Sequence, residues 1–171
     1  MHFLATAAAF FAVAISATRC SETFIVTKKV TPAYWRATFS SPPFNIQSTS
    51  FLQDLYALVD RIEADPEVKV VVFDSSSPDF WIAHFDAQPG NVPAELTTEI
   101  FWGNISRLAH LPVLTVAAIR GICRGGGAEF SAALDVSFAS KERAVFAQPE
   151  VGGGESFGHA RCAAGATRIL R

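Results

Sequence analysis

Val113-Leu114-Thr115-Val116-Ala117-Ala118-Ile119-Arg120-Gly121-Ile122-Cys123-Arg124-Gly125-Gly126-Gly127-Ala128-Glu129-Phe130 is the stretch on which the reading of this chain turns. Its opening, Val113 to Ile119, is an apolar, β-branched run with the length of a buried strand, and Gly121 closes it. Three consecutive glycines, Gly125 to Gly127, then lead into Ala128 to Leu134, a segment of good helix formers. The order strand, glycine run, helix is the expectation.

That order has a chemical use. Glycines at a helix start allow close approach to the backbone, and the first turn leaves N–H groups unpaired at the positive end of the helix dipole. A developing negative charge can be held there without a side chain. Glu129 falls in that first turn, and Glu150 is a second carboxylate just beyond the loop-marking pair Gln148-Pro149. Two carboxylates beside one anion-holding turn can divide acid and base roles.

Composition narrows the function classes. Half of the 171 residues are hydrophobic and 18% are charged, which describes a globular chain of one domain with a substantial core. The formal charge is −2 with no Lys/Arg cluster, so nucleic-acid binding has no electrostatic footing. Cys20, Cys123 and Cys162 show no C-x-x-C spacing, and His2, His84, His110 and His159 are scattered; no disulfide framework and no metal motif follow.

Outward from the central stretch, the elements alternate. Phe24 to Thr27 and Tyr34 to Phe39 read as strands joined by a turn at Lys28 to Pro32. Leu52, Leu55, Val59 and Ile62 recur at helical spacing from about Thr49 to Ala64, and Asp65-Pro66 ends the pattern. Val68 to Phe73 reads as a doubly covered parallel strand. The stretch from Asp74 to Gly90 reads as a loop that contains Phe80-Trp81 and Ala83-His84-Phe85-Asp86. Glu95 to Leu111 reads as a second amphipathic helix, with Leu96, Ile100, Ile105 and Leu108 inward. Val136 to Ala139 and Ala144 to Phe146 read as short strands, and Val151 to Arg171 as loop with at most one short helix. This alternation predicts right-handed crossovers and a mostly parallel sheet.

Residues 1–20 form an apolar leader and residues 22–171 the domain. The leader has the length of a signal-peptide core, with a small-x-small site at Ala14-Ile15-Ser16, but lacks a basic n-region; a secretory signal and a buried helix both stay open. Gly154-Glu155-Ser156-Phe157-Gly158 fits the G-x-S-x-G elbow of hydrolases. No strand precedes it and no Asp or Glu follows it, so it reads as a chance match.

Taken together, Ala118 to Gly121, Gly125 to Glu129, Asp135 and Phe146-Ala147-Gln148-Pro149-Glu150 resemble the enoyl-CoA hydratase/isomerase (crotonase) family. Pro43-Phe44-Asn45-Ile46 resembles its Pro-x-Asn turn, Ile62 to Val72 its helix-to-strand passage, and Phe80 to Asp86 its Phe-Ser-Ala-Gly-Ala-Asp motif, with His84 where the family has glycine. The resemblance implies an α/β, crotonase-like (ClpP/crotonase) core of repeated β-β-α units with a mostly parallel sheet. It implies acyl-CoA thioester substrates, with coenzyme A entering only as part of the substrate and no separate cofactor or metal. The implied oxyanion donors are the N–H groups of Phe85 and Gly126, the implied substrate contacts are Ala83, His84, Phe85, Asp86 and Gly126, and the implied acid/base pair is Glu129 and Glu150.

Both glutamates together favour hydration of a 2-enoyl-CoA over the isomerase branch, which generally keeps only the second. The family continues into a C-terminal helical segment that closes the acyl pocket and builds trimers, and the expectation for a chain stopping at Arg171 is a core without it. The rival expectation is therefore an inactive remnant that binds acyl-CoA or a partner subunit. Coenzyme A chemistry implies an intracellular location, whereas the leader points to export.

Overall fold

The computed structural model describes residues 23–86, 88, 91, 101–149 and 168–170. Strands β1 (Ile25–Lys29), β2 (Tyr34–Phe39), β3 (Val70–Ser75), β5 (Leu114–Ile119), β7 (Val136–Ala139) and β9 (Arg168–Leu170) form one sheet in the order β1-β2-β3-β5-β7-β9. Only β1 runs antiparallel; every other neighbouring pair is parallel. Strands β4 (Phe80–Ile82), β6 (Ile122–Arg124) and β8 (Val145–Ala147) form a second, wholly parallel sheet in the order β4-β6-β8. Three helices are described: α1 (Thr49–Glu63), α2 (Gly103–His110) and α3 (Gly126–Ala133).

The two sheets explain each other. After β3, β5 and β7 the chain leaves the large sheet and, within a few residues, adds a short strand to the small one. The three links lie side by side: Arg120 Nη2 donates to Ser75 O at 3.0 Å, Ile122 N to Asp79 O at 2.7 Å and Ser140 N to Ile119 O at 2.8 Å. This is the repeated β-β-α unit expected of the fold.

Helix α1 follows from its sequence. Ser48 caps it by accepting from Phe51 N, a contact worth about 1 kcal/mol. The stripe Leu52, Leu55, Val59 and Ile62 is buried, as the spacing predicts. Asp54, on the same helix, accepts from Phe24 N at 2.7 Å and so ties down the start of β1.

Beneath α1 and α3 the core is aromatic. Phe39 has the rings of Phe51, Trp81 and Phe130 at 5.3, 5.2 and 6.0 Å, and Phe73 meets Phe130 edge-on at 5.3 Å. All five side chains are fully buried, each worth roughly 1.5–3 kcal/mol or more against exposure. Phe130 belongs to α3, so this cluster seats that helix on both sheets.

Two polar clasps fix the helix ends. Asp135 accepts from both Thr115 N and Thr115 Oγ1 at 2.7 Å and donates its own N–H to Thr115 Oγ1 at 3.0 Å, joining the exit of α3 to the start of β5. Asn45 is fully buried with φ 52°, a left-handed conformation that asparagine tolerates. Its Oδ1 accepts from Ser41 N, and its Nδ2 donates to Ser75 Oγ at 2.7 Å and Trp81 O at 3.0 Å.

Three strands depart from the sequence expectation. β4 lies inside the stretch read as loop and β6 inside the glycine turn, because a three-residue strand is too short to show a period. β9 pairs with β7 in the Gly/Ala-rich C-terminal stretch read as loop or helix. The apolar leader, Leu96 and Ile100 of the second helix, Glu150 and the Gly154 to Gly158 elbow fall outside the described residues.

Candidate active site

The loop leaving β4 and the start of α3 meet at one place. Gly125, the residue before α3, has φ 49° and ψ −125°, a backbone shape that disfavours a side chain. Its N–H donates to Ala147 O of β8 at 3.0 Å, so the helix start is anchored to the small sheet. Gly126 is the first helical residue, and its N–H is one of those a helix cannot satisfy internally.

Across from it, residues 83–86 run beside residues 44–47. Ala83 N donates to Phe44 O, Gln47 N to His84 O and Asp86 N to Gln47 O, each at 3.1 Å. In this parallel bridge between Gln47 and Phe85, the neighbours of Phe85 make the bonds, and its own N–H and C=O point the other way. His84 Nδ1 donates to the Phe85 carbonyl at 2.7 Å, which leaves the N–H. Among the described residues neither the Phe85 N–H nor the Gly126 N–H meets an acceptor.

The two residues are neighbours in space. A Cβ built on Gly126 would stand 3.4 Å from Phe85 Cβ. It would also collide with the side-chain oxygen of Gln47, so a side chain here requires the Gln47 amide to move aside. A Cβ on Gly127 would come within 2.8 Å of both Ile82 Cβ and Ile82 O. The absence of these two Cβ atoms lets α3 press its N-terminus onto β4 and the loop behind it.

The other sequence candidates distribute as follows. Glu129 sits in the first turn of α3, three residues on from Gly126 and therefore on the same helix face. Its N–H donates to Gly125 O at 3.0 Å. Ala83 is buried. His84 projects to the surface. Asp86 accepts from Gln88 N and Asn91 Nδ2 at 3.3 and 3.1 Å, which makes it a turn-forming residue in this structure. Glu150, three positions after β8 in the sequence, lies outside the described residues.

Two further residues sit beside the site, the first buried as the sequence suggests and the second without a signal in the sequence. Cys123 on β6 packs under α3 with Sγ 3.8 Å from Ser131 Oγ, and burial pushes its thiol pKa up to about 12, which makes it inert. Gln47 is the other; its one sequence cue is its place two residues after Asn45. Among the described residues no group of three or more His, Cys, Asp or Glu side chains could hold a metal ion.

Chemically, two unpartnered backbone N–H groups, one of them at the positive end of a helix, form a setting in which a carbonyl oxygen gaining negative charge is stabilised. A carboxylate on the adjoining helix face adds a proton acceptor or donor.

Paired β-strands feeding one mostly parallel and one wholly parallel sheet, with a glycine-started helix docked against the loop after β4, define a crotonase-type fold. The enoyl-CoA hydratase/isomerase family model matches residues 35–163, most of the chain, and the protein belongs to that family. It is 34% identical over 113 residues to the fatty acid oxidation complex subunit alpha of Idiomarina loihiensis, covering 63% of this chain and 16% of that protein. It is 29% identical over 111 residues to a probable enoyl-CoA hydratase of Bacillus subtilis, covering 61% and 42%.

Among solved structures, a putative enoyl-CoA hydratase from Streptomyces avermitilis superimposes with a TM-score of 0.65 at 32% identity, covering 77% of this chain and 49% of that one. An enoyl-CoA hydratase from Geobacillus kaustophilus shares the fold with a TM-score of 0.69 at 24% identity, covering 78% and 52%. The chain thus spans less than half of the two curated relatives and about half of the two solved structures.

Proposed function

We propose that this protein binds acyl-CoA thioesters and hydrates a 2-enoyl-CoA to the 3-hydroxyacyl-CoA. The observation that carries the proposal is the adjacency of Phe85 and Gly126 with both N–H groups unpartnered among the described residues. In this reading the thioester oxygen sits against those two amides. Water, deprotonated by one glutamate, attacks carbon 3. The π electrons move onto carbon 2 and the carbonyl, and the oxyanion so formed is held by the two N–H groups. The enolate then collapses as carbon 2 takes a proton, and Glu129 and Glu150 divide the two proton transfers. Family membership and the hydratase names of its relatives support this choice of substrate.

The test is the loss of conjugated-enoyl absorbance from a short 2-enoyl-CoA, with incorporation of heavy oxygen from labelled water into the product. Glu129→Gln and Glu150→Gln are each expected to lower turnover about 10²–10⁴-fold. Double-bond migration without label points to the isomerase branch. Thioester binding with no turnover by the parent protein refutes the catalytic reading in favour of a binding role.

A further inference from the structure

We propose that Gln47 is the positioning residue that sets the spacing between the two oxyanion donors, an inference that rests on the thioester reading above. Its main chain brackets one donor: the N–H bonds to His84 O and the C=O accepts from Asp86 N, on either side of Phe85. Its side chain reaches the other: Nε2 donates to Gly126 O in a long, 3.4 Å contact across 79 positions of sequence. The two halves of the site are therefore joined through the five heavy atoms of one side chain.

The side chain is fully buried, and its Oε1 has no hydrogen-bond partner among the described residues. That oxygen occupies the space a Cβ on Gly126 would need. An unsatisfied buried acceptor is destabilising, and an apolar side chain of the same length would fill the space without that cost. Packing alone therefore favours Met over Gln at this position. What the amide adds is a directional grip on the first peptide carbonyl of α3, beside the peptide that presents the Gly126 N–H. Without that grip the turn can rotate while the helix stays docked through Phe130, and two donors that were aimed at one oxygen lose their common target.

The experiment uses the full chain and two variants, Gln47→Met and Gln47→Glu, the first equal in length but apolar and the second equal in shape without the amide donor. Three quantities are read: the melting midpoint, kcat and KM on a short 2-enoyl-CoA, and the absorption of a bound 3-aryl-2-enoyl-CoA. The last shifts to the red when its carbonyl is polarised by hydrogen-bond donors. The expected result for Gln47→Met is a melting midpoint equal to or above the parent's, KM within threefold, kcat at least tenfold lower, and a diminished red shift at saturating probe.

A folded variant that keeps both the parent's kcat and the full red shift overturns the role of Gln47 and leaves the thioester reading intact. A parent protein that binds the probe with no red shift, or does not bind it, overturns both. If neither variant folds, Gln47 is a structural residue and the positioning role is refuted.

Discussion

Gly127→Ala tests whether α3 is held against β4 by the lack of a side chain. In the parent structure the added Cβ would stand 2.8 Å from Ile82 Cβ and Ile82 O and 2.9 Å from Ile82 Cγ2. Comfortable carbon contacts begin at about 3.5 Å, so the helix start must retreat by roughly 0.7 Å or more. The obstacles are a backbone carbonyl and a β-branched carbon on a buried strand, neither of which can swing aside. Overpacking of this kind costs about 1–3 kcal/mol, and exchanging glycine for alanine in a helix returns at most about 1 kcal/mol.

The balance is a loss of about 1–2 kcal/mol, or a melting midpoint lower by about 2–8 °C in a chain of this size. Because the retreat also carries Gly126 away from Phe85, kcat is expected to fall by up to about 10²-fold. Urea unfolding and thermal melting measure the first effect and enoyl-CoA turnover the second. Gly103→Ala is the control: it too lies in the first turn of a helix, with nothing within 4 Å of its added Cβ, and is expected to leave stability unchanged or slightly raised. A Gly127→Ala protein as stable as the parent, beside a well-behaved control, refutes the close-approach argument.

Further expectations concern the core and the surface. Phe130→Ala removes a fully buried ring from the aromatic cluster and is expected to cost about 3–5 kcal/mol in denaturant unfolding, a large part of a typical domain's stability. Arg107 bonds to Asp60 and Glu63 of α1 and holds the Glu63 carboxyl below its ordinary pKa. A depressed carboxyl stabilises the fold above its unfolded pKa and loses that contribution as pH falls through the folded one. The deficit of Arg107→Ala, under about 1 kcal/mol for so exposed a pair, should therefore narrow on acidification and in high salt. In a Cys20→Ser, Cys162→Ser background, Cys123 should resist a thiol reagent at neutral pH until the protein is unfolded, as a reagent-absorbance time course would show.

Long elements were legible from sequence because their periods were. The buried stripe of α1, the run that became β3 and the segment that became β5 each carry enough residues to declare a face. β4 and β6 do not: three residues such as Phe80-Trp81-Ile82 acquire their identity only by pairing with a strand some forty positions away. Two of the small sheet's three strands were invisible for that reason, whereas the third, β8, overlaps the short strand read at Ala144 to Phe146. The approach of Phe85 to Gly126 was available only through family resemblance, since local pattern says nothing of which loop meets which helix. Gln47 escaped both routes: its neighbour Asn45 has the marks of a turn residue, whereas the reach of Gln47 to Gly126 is a purely tertiary fact.

The aromatic cluster that seats α3 also furnishes an optical handle. Trp81 is wholly enclosed, its indole N–H donating to Phe73 O at 3.4 Å and its ring centroid 6.0 Å from that of Phe130. With Trp35 and Trp102 replaced by phenylalanine, the remaining indole would emit in the blue while the helix is docked. Any displacement of the glycine-led turn that admitted water would redden the emission, so ligand-induced movement beside Gly126 could be followed by fluorescence without an attached label.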